Sequence, residues 1–255
     1  MDRDALLAGL LSDPPPLHGD DGARQSFGVA PEALEVIRDA VRPGSRTLET
    51  GAGVSTCAFA VLGAVHDCVV PVQHEIDRIR AWCAEHGVDA SGLRFHAARS
   101  QDALPRLEPE PLDFVLIDGA HAFPVPFVDF EFAALRLRAG GTLLIDDVHL
   151  WTGATLRAFL DEQPGWEAVA HPRPERFAVF RRTEVLGDVS WTEQPFVARR
   201  SHTGEVQQRA SRALAMLREG DVRTLAAKAR TLATSGELSR TARSALADLR
   251  ARRSP

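Results

Sequence analysis

Cysteine, lysine and long apolar runs are all scarce in this 255-residue chain. The three cysteines, Cys57, Cys68 and Cys83, are an odd set without a CxxC pair. They fit reduced thiols better than a disulfide framework or a zinc site. No stretch approaches the ~20 apolar residues that a bilayer crossing requires. The start, Met1 to Leu11, carries Asp2 and Asp4 rather than the basic opening and long apolar core of a secretory signal. The expectation is a soluble, cytoplasmic protein that does not engage a membrane. Lys228 is the one lysine among 30 basic residues, a bias of coding before it is a feature of chemistry.

What is present is ordinary for a globular chain. Hydrophobic residues make up 44% and charged residues 25%, which excludes wholesale disorder. The length suffices for a full core in one or two domains. A formal net charge of -5 argues against a surface given over to nucleic acid. The charge is uneven, however. From Arg199 onward thirteen Arg and Lys stand against five Asp and Glu, leaving -13 upstream.

Residues 12–24 (SDPPPLHGDDGAR) read as a loop, and 1–30 as an N-terminal loop or lid segment. A helix is expected from Pro31, with Leu34, Ile37 and Val41 on one face, ending at Pro43-Gly44. Short apolar strands then alternate with helices. Strands are expected at Thr47–Leu48, Cys68–Val72, Leu93–His96, Phe114–Ile117 and Leu143–Ile145. Helices are expected at Thr56–Leu62, Ile76–His86, Gln101–Leu107, Phe127–Leu137 and Gly153–Gln163. Two closing strands, Trp166–Ala170 and Phe177–Arg181, flank a Pro-rich turn. Strands apolar on both faces and separated by helices predict an α/β fold, a doubly wound and mostly parallel seven-stranded sheet. The main domain is placed at 31–184. A basic helical extension at 185–255, with Ala, Leu and Arg at helical spacing, contains two or three amphipathic helices over 206–253. These helices offer a face for a homo-oligomer or another partner.

The segment Leu48-Glu49-Thr50-Gly51-Ala52-Gly53-Val54-Ser55 joins the first strand to its helix, where open α/β sheets bind ligands. Gly51 and Gly53 permit close approach of backbone to ligand. A dinucleotide loop would continue GxGxxG and set pyrophosphate on the helix N-terminus. Here Thr56 holds the third position and an acid precedes the first Gly. Glu49 would repel a pyrophosphate but attract a cationic, zwitterionic ligand. A plain strand-to-helix turn is the alternative.

The stretch Asp113 to Trp151 ends two apolar strands in carboxylates, Asp118 on one and Asp146-Asp147 on the other. If those strands are parallel neighbours, the three acids gather at one sheet edge beside the glycine loop. Close carboxylates repel unless a cation sits among them, and oxygen ligands favour a hard ion such as Mg²⁺. Capping of helices or pairing with arginines is the other reading. His121, three residues after Asp118, and His149 are candidate bases for a substrate hydroxyl.

With these motifs the chain resembles class I S-adenosylmethionine-dependent methyltransferases over about residues 30–182. LETGAGVST resembles their first motif, which implies that Glu49, Gly51, Ala52, Gly53 and Ser55 surround the methionine part of S-adenosylmethionine. The family's ribose-binding acid corresponds to the stretch with Gln73 at its usual place and Glu75 two residues on. The turn at Ser100 resembles the adenine contact. IDGAH followed by IDD resembles the metal-dependent macrolide-sugar O-methyltransferases of the macrocin and mycinamicin type. That likeness implies Asp118, Asp146 and Asp147 as ligands of Mg²⁺ or another hard divalent cation, and His121 as base; Asp118 also borders the donor. Asp146 stands where that group carries a Glu. The implied activity is O-methylation of a small-molecule hydroxyl, on a sugar or a catechol-like ring. A metal-independent N- or O-methyltransferase and a catalytically silent cofactor-binding partner remain alternatives. Without an NPPY-type motif, a nucleic-acid acceptor is not expected.

Overall fold

The computed structural model describes residues 2–19, 28–187, 189–218 and 224. The chain divides into two units, Met1–Val189 and Ser190–Pro255.

In the first unit the elements run α1 (Arg3–Ser12), α2 (Pro31–Ala40), β1 (Arg46–Thr50), α3 (Val54–Leu62), β2 (Val65–Val69), α4 (Gln73–Glu85) and β3 (Leu93–His96). They continue with α5 (Ser100–Ala103), β4 (Leu112–Ile117), α6 (Val125–Phe132), β5 (Leu137–Ile145), α7 (Trp151–Leu160), β6 (Trp166–Ala168) and β7 (Ala178–Arg182). The strands form one sheet in the order β3-β2-β1-β4-β5-β7-β6. Only β7 runs antiparallel to its neighbours. The doubly wound, mostly parallel seven-stranded sheet expected from the alternation is therefore present.

Alternation along the central strands explains why they read as apolar runs. Phe114, Leu116 and Leu144 face one core, whereas Val115, Ile117, Leu143 and Ile145 face the other. Helices α1 to α4 bury the first face, including Phe59, Ile37 and Ile79. Leu104, Ala134 and the α7 residues Leu156 and Leu160 bury the second. A parallel sheet covered on both sides has no polar face to break the pattern.

Several boundaries differ from expectation. Arg3–Ser12 is a helix, not loop: Asp2 accepts from the Asp4 N–H at its start, and Leu7 and Leu10 are buried. The leucines there repeat at helical spacing, a signal masked by the short length of the segment. The second strand lies at Val65–Val69 rather than Cys68–Val72, because its ladder with β1 runs from Arg46↔Val65 to Thr50↔Val69. Val70 keeps one bond to the His96 carbonyl of β3, and Pro71 and Val72 continue past the sheet edge. The helix expected over Phe127–Leu137 stops at Phe132; Leu137 instead pairs with Leu112 as the first residue of β5.

In the second unit Ser190 caps a short turn at Trp191–Glu193, and α8 spans Pro195–Arg218. The rest of the helices expected over 206–253 falls outside the described residues. Among the described residues no helix is long and apolar enough to cross a membrane.

Candidate active site

The ladders β1–β4 and β4–β5 bring Thr50, Ile117 and Ile145 to the same level, so the residues following them leave the sheet together. A cleft of about 810 Å³ opens there. Its walls take in Gly51, Ala52, Gly53 and Ser55 from the glycine loop, Glu75 and Ser100 beyond β2 and β3, and Asp118, His121, Asp146 and Asp147 beyond β4 and β5. Three of the expected site residues lie elsewhere.

Glu49 is one of them. It is 1% exposed, and its carboxylate accepts from the Ser55 hydroxyl at 2.7 Å and from the Thr56 hydroxyl. His66 Nε2 lies 3.2 Å away, itself stacked on Phe59 and held at Nδ1 by Thr47. The acid expected to meet a ligand ammonium thus sits beneath the loop and is held by the loop's own hydroxyls. Burial of a carboxylate requires such partners, and α3 supplies them only because its first turn folds back over β1. Gln73 is the second: it heads α4 and donates to Asp77 across one helical turn. The third, His149, is exposed and approaches Asp147 Oδ1 from outside at 3.6 Å.

The backbone of the loop is fixed by contact. Gly51 has φ +90°, donates to the Val69 carbonyl at 3.0 Å, and a Cβ there would stand 2.3 Å from the Asp118 carbonyl oxygen. Gly53 donates to Thr56 Oγ1 at 3.0 Å. Glycine at position 51 therefore lets the first loop lie directly against the loop that carries Asp118.

The acidic edge holds Asp118, His121 and Asp147 with ligating atoms all within 4.8 Å of one another. His121 Nε2 lies 3.0 Å from Asp147 Oδ2, and Arg176 lies 3.8 Å from Oδ1. Asp147 adopts φ +51°, in the left-handed region that non-glycine residues seldom occupy. Asp146 is buried, and one of its oxygens accepts from the Asp147 N–H at 2.9 Å. Burial pushes the Asp118 carboxyl well above the usual range, reinforced by Asp146, Glu49 and Asp147 and opposed by Arg176. Burial raises Asp146 also, with the Asp147 N–H pulling it back. Two crowded carboxylates and an imidazole make a donor set that fits a divalent cation. Asp146 stands beside that trio, outside the tight group.

Four groups at or beneath the cleft had no local signal. His18 lines it and contacts Glu75 at 2.8 Å. Gly28 and Arg176 line it from distant parts of the chain. Asp129 of α6 is fully buried under the floor and accepts from the Thr50 hydroxyl at 2.8 Å. Their sequence neighbours carry no motif, since long-range packing alone brings them in.

Burial raises the Asp129 carboxyl to about 6, with the hydroxyls of Ser100 and Thr50 drawing it down. Its unfolded value is lower, so the native state binds the extra proton and stability falls as pH rises from about 4 to 6. Two units correspond to roughly 3 kcal/mol. Asp129→Asn is expected to remove most of that dependence. Urea unfolding of both proteins between pH 4 and 7, with EDTA present, checks it; parallel stability curves would refute the assignment.

A family model described as a methyltransferase domain matches residues 48–148. No curated protein matches the chain. Among solved structures, the chain is similar to the O-methyltransferase TomG of Streptomyces achromogenes, involved in tomaymycin synthesis and solved in complex with SAM. The two share 19% identity over 72% of this chain and 91% of that one, with a TM-score of 0.54. It is also similar to the O-methyltransferase NovP, with 14% identity over 72% of this chain and 100% of that one and a TM-score of 0.55. At these identities the likeness establishes the fold.

Proposed function

We propose that this chain, which carries a methyltransferase domain of the class I fold, transfers a methyl group from S-adenosylmethionine to a hydroxyl of a small molecule. The observation that carries this reading is the meeting, in one cleft, of a glycine loop packed on the Asp118 loop with a cluster of acids at the ends of β4 and β5. A negative cleft suits a donor that carries a sulfonium and an ammonium group. Glu75, held by His18 beyond β2, is the acid placed to accept from the ribose hydroxyls, in place of Gln73. Transfer from a sulfonium is an in-line displacement, so alignment of the two reactants supplies most of the rate.

Asp118 and Asp147, with His121 or Asp146, would hold a divalent cation such as Mg²⁺. Such an ion would polarise neighbouring acceptor hydroxyls and lower the pKa of one. Where Asp146 completes that set and Nε2 of His121 donates to Asp147, Nδ1 of His121 carries the lone pair that takes the hydroxyl proton. The IDGAH and IDD motifs support the macrolide-sugar type of acceptor. The reduced thiols support a cytoplasmic setting. The basic C-terminal extension would offer contacts to the domain itself, to a second copy or to another partner.

One observation favours a second reading, in which the acids work without metal. His121 and Arg176 already approach Asp147, so a His–Asp pair balanced by an arginine is a self-sufficient base. Calorimetry with S-adenosylhomocysteine, with and without Mg²⁺, separates the two. Binding strengthened by Mg²⁺ is expected. Binding indifferent to Mg²⁺ favours the metal-free pair, and no binding in either condition removes the methyltransferase reading.

A further inference from the structure

The core beneath the glycine loop holds a polar cluster separate from the cleft. His66 and Cys68 lie two residues apart on β2 and so share a face of the sheet. In the ladder with β1, Thr47 stands opposite His66 and Glu49 opposite Cys68. His66 and Cys68 are fully buried, and so nearly is Glu49. One ligating atom from each of Glu49, His66 and Cys68 lies within 4.8 Å of the others. An acid and an imidazole in an apolar core are costly unless their polar atoms are paired. Here the pairing is incomplete. Nδ1 of His66 is 2.7 Å from the Thr47 hydroxyl oxygen, but among the described residues Nε2 makes no hydrogen bond. Glu49 Oε1 stands only 3.2 Å from it, close enough to bond, so direction is what fails. The two atoms lie side by side, as ligands of a common centre do.

We propose that Glu49, His66 and Cys68 form a buried zinc site beneath the glycine loop, with the Gly51 carbonyl oxygen as fourth ligand. Tetrahedral zinc, with bonds of about 2.0–2.3 Å, sets its ligand atoms roughly 3.3–3.6 Å apart. The 3.2 Å between Nε2 and Oε1 and the 3.3 Å between Cys68 Sγ and the Gly51 carbonyl oxygen come close to that spacing. Thiolate, imidazole and carboxylate together suit zinc rather than Mg²⁺, which prefers oxygen ligands. One thiolate and one carboxylate balance the two positive charges, so the dry core carries no net charge. With Nδ1–H donating to Thr47, Nε2 presents its lone pair to the metal, the usual arrangement of a ligating histidine. Burial and the Glu49 charge push the Cys68 thiol up. The ion reverses that preference: the Zn–S bond forms as the thiol gives its proton to solvent. An ion held there would fasten β1, β2 and the glycine loop at one point. The site is distinct from the acidic edge at Asp118 and Asp147 and does not depend on the function proposed above.

The test uses the full chain produced in medium supplemented with Co²⁺, a spectroscopic stand-in for zinc, then treated with EDTA and desalted. EDTA strips the solvent-facing acidic edge, whereas a site without solvent contact keeps its ion. One cobalt per chain is expected, with the near-ultraviolet thiolate-to-cobalt charge-transfer band that the oxygen and nitrogen ligands of the acidic edge cannot give. Protein produced with Zn²⁺ should likewise retain one zinc per chain by elemental analysis. Cys68→Ser should abolish the band and lower metal affinity by roughly 100-fold or more. The double substitution Cys57→Ala, Cys83→Ala leaves Cys68 as the one thiol and should keep the band, which decides the matter if Cys68→Ser does not fold. The site is overturned if the wild type shows no thiolate band. It is equally overturned if folded Cys68→Ser keeps the band, or if the folded double variant loses it.

Discussion

Asp147→Asn is expected to lower the affinity for Mn²⁺ or Mg²⁺ by roughly 10- to 100-fold, the loss typical when a group that holds or orients a metal is removed. Methyl transfer should fall by about 10²- to 10³-fold, as when one preorganised charge is taken from a reaction centre. The substitution is chosen on conformational grounds. Asp147 sits at φ +51°, and Asn is among the few non-glycine residues that tolerate that region, so backbone and volume persist while the charge goes. The lost charge matters because Asp147 is the hub of the edge: His121, His149 and Arg176 all converge on its two oxygens, at 3.0, 3.6 and 3.8 Å. Electron spin resonance of bound Mn²⁺ reads the first effect without any acceptor, and EDTA treatment of the wild type reads the same dependence. Unchanged Mn²⁺ affinity in the variant, together with full activity in EDTA, would dispose of the metal while leaving the His121–Asp147 pair to act alone.

A comparable loss is expected from Gly51→Ala, by a different route. The new Cβ would stand 2.3 Å from the Asp118 carbonyl oxygen, and alanine would have to hold φ +90°. Both loops must separate, or the residue must leave its conformation. Strain of this kind costs about 1–3 kcal/mol, before the overlap is counted. If it falls mainly on the donor-competent arrangement, affinity for S-adenosylhomocysteine drops roughly 100-fold. Calorimetry measures the affinity, and a Tm alongside it shows how much of the strain the whole fold absorbs. Affinity within three-fold of wild type would mean that the loop is not part of the donor site. Gly53 makes a useful contrast: its φ of 167° is ordinary extended backbone, so the same substitution there carries no conformational penalty of this kind.

Much of the site was legible because it lies in short, contiguous motifs at strand ends. LETGAG and IDGAH each place their special residues within three or four positions of a buried strand. A strand buried on both faces announces its own end where the apolar run stops. Expectation and structure part where that signal is ambiguous. Pro71 and Val72 look like strand but lie past the sheet edge, since the partner strand β1 ends at Thr50. The choice between Gln73 and Glu75 turns on the same ambiguity: Gln73 heads a helix and donates to Asp77. Glu49 shows the converse case. Its position in the motif was evident, but its direction was not, because Ser55 and Thr56 draw the carboxylate under the loop.

Determined by the sequence alone were the alternation of strands and helices, the burial of the sheet on both faces, and the set of acids at its edge. Each follows from local periodicity and from where apolar runs stop. Tertiary structure alone decided which atoms meet: His18 on Glu75, Asp129 under Thr50, and Arg176 and His121 on Asp147. Those contacts join residues from distant parts of the chain. They depend on the register between strands and the packing of helices across the sheet, which no local window of residues records.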